Sequence, residues 1–517
     1  MQQNSALQGY AEGSMRKLAW QCFISWDKTY LPSTTFFRVG DSGSTIGGPD
    51  IIPGTNSVVQ EWDKYQYEDF SDRVISVELT REVEQVSSVT MCYGDLVLNN
   101  YDDLFTPGAN SRLDSYLLPY RPIRLYMGFY DQTVPVFVGL TDGTPVIDET
   151  AKTATFHIID FLYSVSDAPL DTLALSTNVR TDEAVSSVLV AAGLLSSQLV
   201  LDRGFNTLQY FAVEKGTKVI DVLRQLMEAE QGRLYMDEQG VIRFKNRQNY
   251  ESTPVMTFDA YNNIVKASRT REDSIVNVVE VNSELRTLQV NQKVYETSTA
   301  TLVNAGSTAN VWASFTDPVS SVDTPVYVDS ATTSSFSVNV QADGTGAANS
   351  TDVTLTTNTQ YGTSYFMTFT NSGATNLYVT NIQLYGTPYI VTDSLYVREE
   401  DATSVGKYDQ RILSLENDFF QSQSDATSKA KQLLDDYSQF AAVQELEVKG
   451  SPLLQLDDPI RIDIFGRIQT AKILRIEMSM SDGAFSQTLR FKTFNPRSYF
   501  RVGDGGSTIG GPDYISF

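Results

Sequence analysis

The stretch RVISVELTREV, Arg73–Val83, sets Val77 and Leu79 against Ser76, Glu78 and Thr80 in strict alternation. A period of two places successive side chains on opposite faces, so this run reads as a β-strand with one buried face. Working outward, YRPIRLYMGFY (120–130), VPVFVGLTDGTPVI (134–147) and KTATFHIIDFL (152–162) are further β-rich runs broken by Gly and Pro. Together they predict a barrel-like β-domain over 60–165. Upstream, residues 1–59 are polar, Gly-rich and punctuated by Pro32, Pro49 and Pro53, which reads as an extended arm.

Downstream the period changes. TDEAVSSVLVAAGL (181–194) begins with Thr181 as N-cap and two acids in the first turn, and stops at Gly193. KGTKVIDVLRQLMEAEQG (215–232) sets Val219, Leu223, Leu226 and Met227 on one helical face and ends at Gly232. A hairpin turning at Gln239-Gly240 follows, giving a small α+β domain over 166–255. Strand patterns resume at 256–297, and from 298 to 393 the composition shifts to Ser, Thr, Asn and Gly with short alternating strands, the signature of an inserted β-sandwich. The interrupted domain returns over 394–496, with a helix at 424–440 burying Ala426, Ala430, Leu433, Leu434 and Tyr437, and 497–517 forms a C-terminal arm. The expected class is mainly β with α+β: two barrel-like β-domains, a small α+β domain between them, and an inserted β-sandwich.

The chain of 517 residues carries 39 basic and 63 acidic residues, a formal charge of −24. Such a balance disfavours gripping phosphates over a broad surface and suits a wall that a polyanion slides past. Cys22 and Cys92 are its two cysteines, too few for a disulfide framework or a usual metal-ligand set. The opening residues lack a basic segment followed by an apolar core, and no run of some twenty apolar residues occurs; neither an export signal nor a membrane span is expected.

Chemistry-bearing patterns are weak. GDSG at 40–43 matches the surroundings of a chymotrypsin-like nucleophile, but Ser42 would need a histidine base oriented by a carboxylate, and the single histidine, His157, lies on a strand pattern after it in the chain. The acid pairs Asp102-Asp103, Asp435-Asp436 and Asp457-Asp458 could in principle serve glycoside hydrolysis, yet adjacent acids ordinarily occupy solvated turns and helix faces. Asp41 and Asp50 read as hydrated turn residues. No catalytic, cofactor-binding or metal residue is assigned, no cofactor is expected, and the chain is read as a non-enzyme.

The architectural signal is stronger. VQEWDKYQYEDFSDRVISVELTRE, NNYDDLFTPG, YRPIRLYMGF, TATFHIIDFL, VRTDEAVSSVLVAAGL, the helix-hairpin run at 215–247, NDFFQSQSDATSKAKQLLDDY and LEVKGSPLLQLDDPIRI, in this order and spacing, resemble the hub or minor tail proteins of long-tailed bacteriophages, themselves similar to the baseplate hub of contractile phages. The resemblance spans about 58–300 and 395–495. It implies a homotrimer in which each chain contributes two similar β-barrels, presenting near-sixfold symmetry to a hexameric tail tube and threefold symmetry to the tip. Implied partners are the tail tube, distal tail and central tip or fibre proteins, with DNA passing unbound, in a virion made in the host cytoplasm. In such proteins the turn before DPIRI tends to read Gly-Asp, whereas here Asp457 precedes Asp458.

Outside the resemblance lies a repeat. FRVGDSGSTIGGPD begins at Phe37 and FRVGDGGSTIGGPD at Phe500, changing only Ser42 to Gly505. One copy precedes the first predicted barrel and the other follows the second, so each barrel could carry its own docking arm. Phe37, Val39 and Ile46, with Phe500, Val502 and Ile509, would anchor in a groove, while Gly40, Gly47, Gly48, Gly503, Gly510 and Gly511 permit positive φ. The alternatives are a carbohydrate-binding tail adhesin using Trp312, Tyr361, Tyr378 or Tyr385 as stacking platforms, and a tail-associated peptidoglycan hydrolase.

Overall fold

A computed structural model describes residues 4–12, 17–26, 65–83, 89–171, 173–246, 253–271, 275–327, 333–349, 351–438, 442–481 and 483–493. The chain is mainly β, and seventeen of its strands belong to one connected sheet. The alternation at 73–83 becomes the strand Val74–Val83, with Val77 and Leu79 buried. It pairs antiparallel with Val89–Asn99, and the order continues through Thr153–Ile159, Gln132–Thr141, Pro122–Phe129 and Leu18–Ile24. Glu68–Asp69 pairs with the end of that last strand and leads directly into Val74, closing a first barrel. Gly94 permits the close approach of strands that closure requires: a Cβ there would lie 1.9 Å from the Glu78 carbonyl oxygen.

Part of the span read as an extended arm is therefore packed. Leu18–Ile24 has its own period of two, with Cys22 and Ile24 fully buried in the barrel, and Ser5–Glu12 is helical. Seven residues between polar, Gly-rich flanks are a short signal, and composition averaged over the first sixty conceals it.

The second barrel takes its strands from Met256–Asp259, Ile264–Arg271, Ala442–Val448, Pro459–Ile464, Arg467–Ser481 and Ala484–Thr493. Its neighbour order is that of the first. Ile264–Arg271 pairs with Ala442–Val448, then come Ala484–Thr493, Arg467–Ser481 and Pro459–Ile464, all antiparallel. In each barrel five strands, numbered by chain position, thus lie in the order one, two, five, four, three. The sixth differs: Leu18–Ile24 runs antiparallel to its neighbour, Met256–Asp259 parallel. The barrels are fused, because the outer half of Arg467–Ser481 also pairs with Val74–Val83, from Ser76↔Ser481 to Glu82↔Arg475, and both interiors form a single apolar core.

Between them sits the α+β unit, with helices Thr181–Ala191 and Val219–Glu230 packed over a hairpin of Arg233–Met236 and Ile242–Lys245. Two helix ends differ by one residue from the sequence reading. Arg180, not Thr181, is the N-cap, its N–H donating to Glu183 Oε2 at 3.0 Å, while Thr181 turns inward to donate to Glu230. The left-handed residue closing the second helix is Gln231, at φ 61°, one position before Gly232.

The insert is a β-sandwich. One sheet consists of Thr308–Ser314, Ser364–Asn371 and Val353–Gln360; the other assembles along the 24-residue strand Leu377–Glu400, and an apolar core separates them. The far end of that strand pairs with Val278–Leu288, whose Val279 and Val281 pack with the helix Gln423–Tyr437 in the core of the α+β unit.

Candidate assembly surface and the junction behind it

The two barrels match beyond their order of pairing. Pro122-Ile123-Arg124 opens one strand and Pro459-Ile460-Arg461 its counterpart. Just before each tripeptide the backbone turns left-handed, at Tyr120 (φ 61°) and Asp457 (φ 66°). The hydrogen bonds repeat too. Tyr120 N donates to Thr141 O and Thr141 N to Arg121 O, as Asp457 N donates to Ile473 O and Ile473 N to Asp458 O. The hairpins that follow turn through Tyr130 (φ 58°) and Phe465 (φ 53°). Asp457 thus adopts the conformation that Gly would take at this turn, and its carboxylate pairs with Arg233 and, at 3.3 Å, with Lys472. Those ion pairs offset the cost of a non-Gly residue at positive φ.

Where barrels and α+β unit meet, a cation is sealed in. Arg81 continues the buried face of Val77 and Leu79 and is only 3% exposed. Its guanidinium pairs with Glu238 in the hairpin turn, donates from Nε to Cys92 Sγ at 3.3 Å and from Nη2 to Val136 O at 2.5 Å. Gln455, from the loop entering the second barrel, donates to the other oxygen of Glu238. Burial alone would lower the Arg81 pKa, but Glu238, Cys92 and Asp160 outweigh it and the guanidinium stays charged. Burial pushes the Cys92 thiol up to about 11, so it serves as packing rather than as a nucleophile.

Asp160 lies beside this group, fully enclosed, accepting from Cys92 N and Tyr163 N at 2.6 Å each. Burial raises its pKa to about 6 against the pull of those donors and Arg81. The folded chain therefore takes up this proton near pH 6 and an unfolded carboxyl only near pH 4, so the resulting stability is present below about pH 4 and lost as pH rises through about 6. An amide at this position cannot titrate. The stability difference between wild type and Asp160→Asn is expected to shift against the wild type by about 2–3 kcal/mol from pH 4 to pH 7, read from urea melts at each pH; parallel pH profiles would contradict it.

The other residues singled out in the sequence have structural surroundings. His157 is exposed on the outer face of its strand and pairs with Asp95. Asp102 is bound by Arg73 at 2.7 and 2.8 Å, and Asp103 by Lys152 at 3.2 Å. Asp458 is buried, and burial raises its pKa to about 6. Among the described residues no group of three or more His, Cys, Asp or Glu is placed to hold a metal.

Trp312 is 40% exposed but is no open platform: Lys215 Nζ from the α+β unit lies 3.7 Å from its ring centroid, and Tyr361 stacks at 5.7 Å. Tyr378 and Tyr385 are half-buried along the Leu377–Glu400 strand. Both Gly-rich copies, with Ser42, Phe37, Val39, Gly40, Ile46, Gly47, Gly48, Phe500, Val502, Gly503, Ile509, Gly510 and Gly511, lie outside the described residues.

Each of the fused barrels carries exposed apolar side chains. On the second they are Tyr261 (83% exposed), Phe465 (72%) and Val265; on the first, Tyr101, Tyr116, Leu118 and Val146. The sequence reading missed these groups and the Arg81–Glu238 pair. The paired Pro-Ile-Arg tripeptides were the available signal, since aligning them sets the two barrels in register.

No family model matches the sequence, and no curated protein does. Among solved structures, the chain is similar to the 43 kDa tail protein of prophage MuSo2 from Shewanella oneidensis, at 10% identity and TM-score 0.44 over 82% of this chain and 95% of that one. It is similar to the tail protein from Neisseria meningitidis MC58, at 11% identity and TM-score 0.46 over 83% and 93%. A third is prophage tail protein gp18 from Listeria monocytogenes EGD-e, at 10% identity and TM-score 0.42 over 84% and 94%.

Proposed function

We propose that this chain is a structural protein of a bacteriophage tail, a homotrimeric hub at the tail tip that joins a hexameric tube to a threefold tip and lines the channel through which DNA leaves. The observation that carries the reading is the repetition of one five-strand order in two fused barrels of a single chain. Three copies then offer six similar lobes, which is how a trimer meets a sixfold neighbour. The formal charge of −24 suits a lumen that must not retain phosphates, and the sequence resemblance points to the same role. The work is that of an adaptor without catalysis.

The Gly-rich copies flank the barrels, at 37–50 and 500–513. In a trimer they supply six docking peptides for the tube, distal tail and central tip or fibre proteins. Deleting 500–517 is expected to leave the ring intact and to abolish its attachment to assembled tail tubes, scored by counting capped tube ends in electron micrographs. Unchanged capping would overturn the role of the arms. The carbohydrate-adhesin reading is weakened by Lys215, which occupies the face of Trp312 that a sugar would need.

A further inference from the structure

The duplicated register identifies an edge that the described residues leave open. Aligning Pro122 with Pro459 carries through the strand pairings: Leu140 corresponds to Lys472, Ile159 to Lys492, Leu96 to Leu446 and Val77 to Ala267. Val77 and Ala267 therefore occupy equivalent places, but their surroundings differ. Val77 is buried, flanked by Leu96 on one side and by Met480 on the other. Ala267 sits opposite the buried Leu446 and points to the same face, yet it is exposed. Among the described residues, Ile264–Arg271 pairs only with Ala442–Val448, so its other edge, where Val74–Val83 receives Arg467–Ser481, stays unpaired.

The complement lies on the first barrel. The segment of Arg467–Ser481 that pairs with Val74–Val83 corresponds, through Glu477↔Thr488 and Val146↔Thr155, to the short strand Val146–Asp148. That strand pairs only with Thr153–Ile159 among the described residues, and its Val146 is 59% exposed. A second pair of counterparts agrees. Leu453 is fully buried in a cluster with Phe129 of the first-barrel hairpin, whereas Tyr116, its equivalent, is 40% exposed, and the Phe465 tip that would reach it is 72% exposed.

We propose that the open edge of Ile264–Arg271 pairs antiparallel with Val146–Asp148 of a second copy of this chain, repeating between molecules the contact that joins the two barrels within one. The register places Ser268 opposite Asp148 and Thr270 opposite Val146, as Glu78 faces Ser479 and Thr80 faces Glu477 inside the chain. The contact is head-to-tail, one edge meeting a different edge, so it excludes a twofold dimer and closes into a ring under the threefold rotation of the trimer reading. A bare strand edge is otherwise an aggregation hazard, and ring closure removes it.

This inference rests on the trimer reading, and the test separates the two. The full chain carrying Ser268→Cys and Asp148→Cys is oxidised and run under denaturing, non-reducing conditions; the native Cys22 and Cys92 are buried and stay silent. Covalent species up to three chains are expected, each single-cysteine variant giving none. In parallel Ala267→Arg, a change at an exposed position, is expected to convert the native particle to monomers without altering the thermal transition of the monomeric fold. A trimeric mass with no cross-link, or a trimer that persists in Ala267→Arg, would overturn this interface and leave the trimer standing. A wild-type chain that is monomeric at all concentrations would overturn both.

Discussion

Arg81→Met lowers the unfolding free energy by about 3–5 kcal/mol, the cost of breaking a buried ion pair from one side. The magnitude follows from what remains. Glu238 is 4% exposed and keeps one hydrogen bond from Gln455, so without the guanidinium its carboxylate is charged and enclosed, with no cation to balance it. The Val136 carbonyl loses its Arg81 donor in the same step. Combining Arg81→Met with Glu238→Gln removes the stranded charge and lets the amide oxygen accept from Gln455; at least half the loss is expected to return. Urea melts of the two single variants and the double give the coupling directly. Strictly additive losses, or a single-variant loss below about 1 kcal/mol, would show that the pair does not hold the lobes together.

Phe105→Ala has an effect of similar size from a different cause, about 3–5 kcal/mol for emptying a fully enclosed aromatic site. Phe105 lies in the long connection between the second and third strands of the first barrel, is fully buried, and sits among Phe70 and Phe156 at 5.5 Å and Trp26 at 5.9 Å. Its backbone N–H donates to Asn100 Oδ1, so the ring and the loop are fixed together. The loop closes one end of the barrel and carries Tyr116 on the surface proposed to meet another copy. Phe105→Ala should therefore weaken assembly as well as stability, whereas Phe105→Leu, which refills most of the space, should lose less of each. A loss below about 1 kcal/mol would mean that the loop is not docked.

Local pattern announced much of this architecture. The alternation at 73–83, the amphipathic helices near 181–191 and 219–230 and the polar, strand-rich insert all correspond to elements of the structure, because burial on one face leaves a period in the chain. What local pattern could not supply was partnership. Glu238 stands in a hairpin turn of polar letters that reads as solvated; it is buried because Arg81, 157 positions away, meets it across a lobe junction. Arg81 itself falls on the apolar phase of its strand, a visible anomaly whose meaning depends on that distant acid. Asp457 stands where the sequence resemblance leads one to expect Gly, and its carboxylate pairs with Arg233, remote in sequence, as well as with Lys472 on the adjoining hairpin strand.

The duplication was expected from resemblance rather than read from the chain. Its direct trace, Pro-Ile-Arg at 122 and at 459, is three residues long, and only strand register gives it weight.

The mass of the purified full-length particle in native mass spectrometry, with end-on electron-microscopy averages of the same sample, bears most directly on the claim that two like lobes per chain build a six-lobed ring. The expected mass is three times that of the 57.4 kDa chain, and the expected averages show six similar lobes related by true threefold symmetry. A single-chain mass, or a twofold dimer, would contradict it.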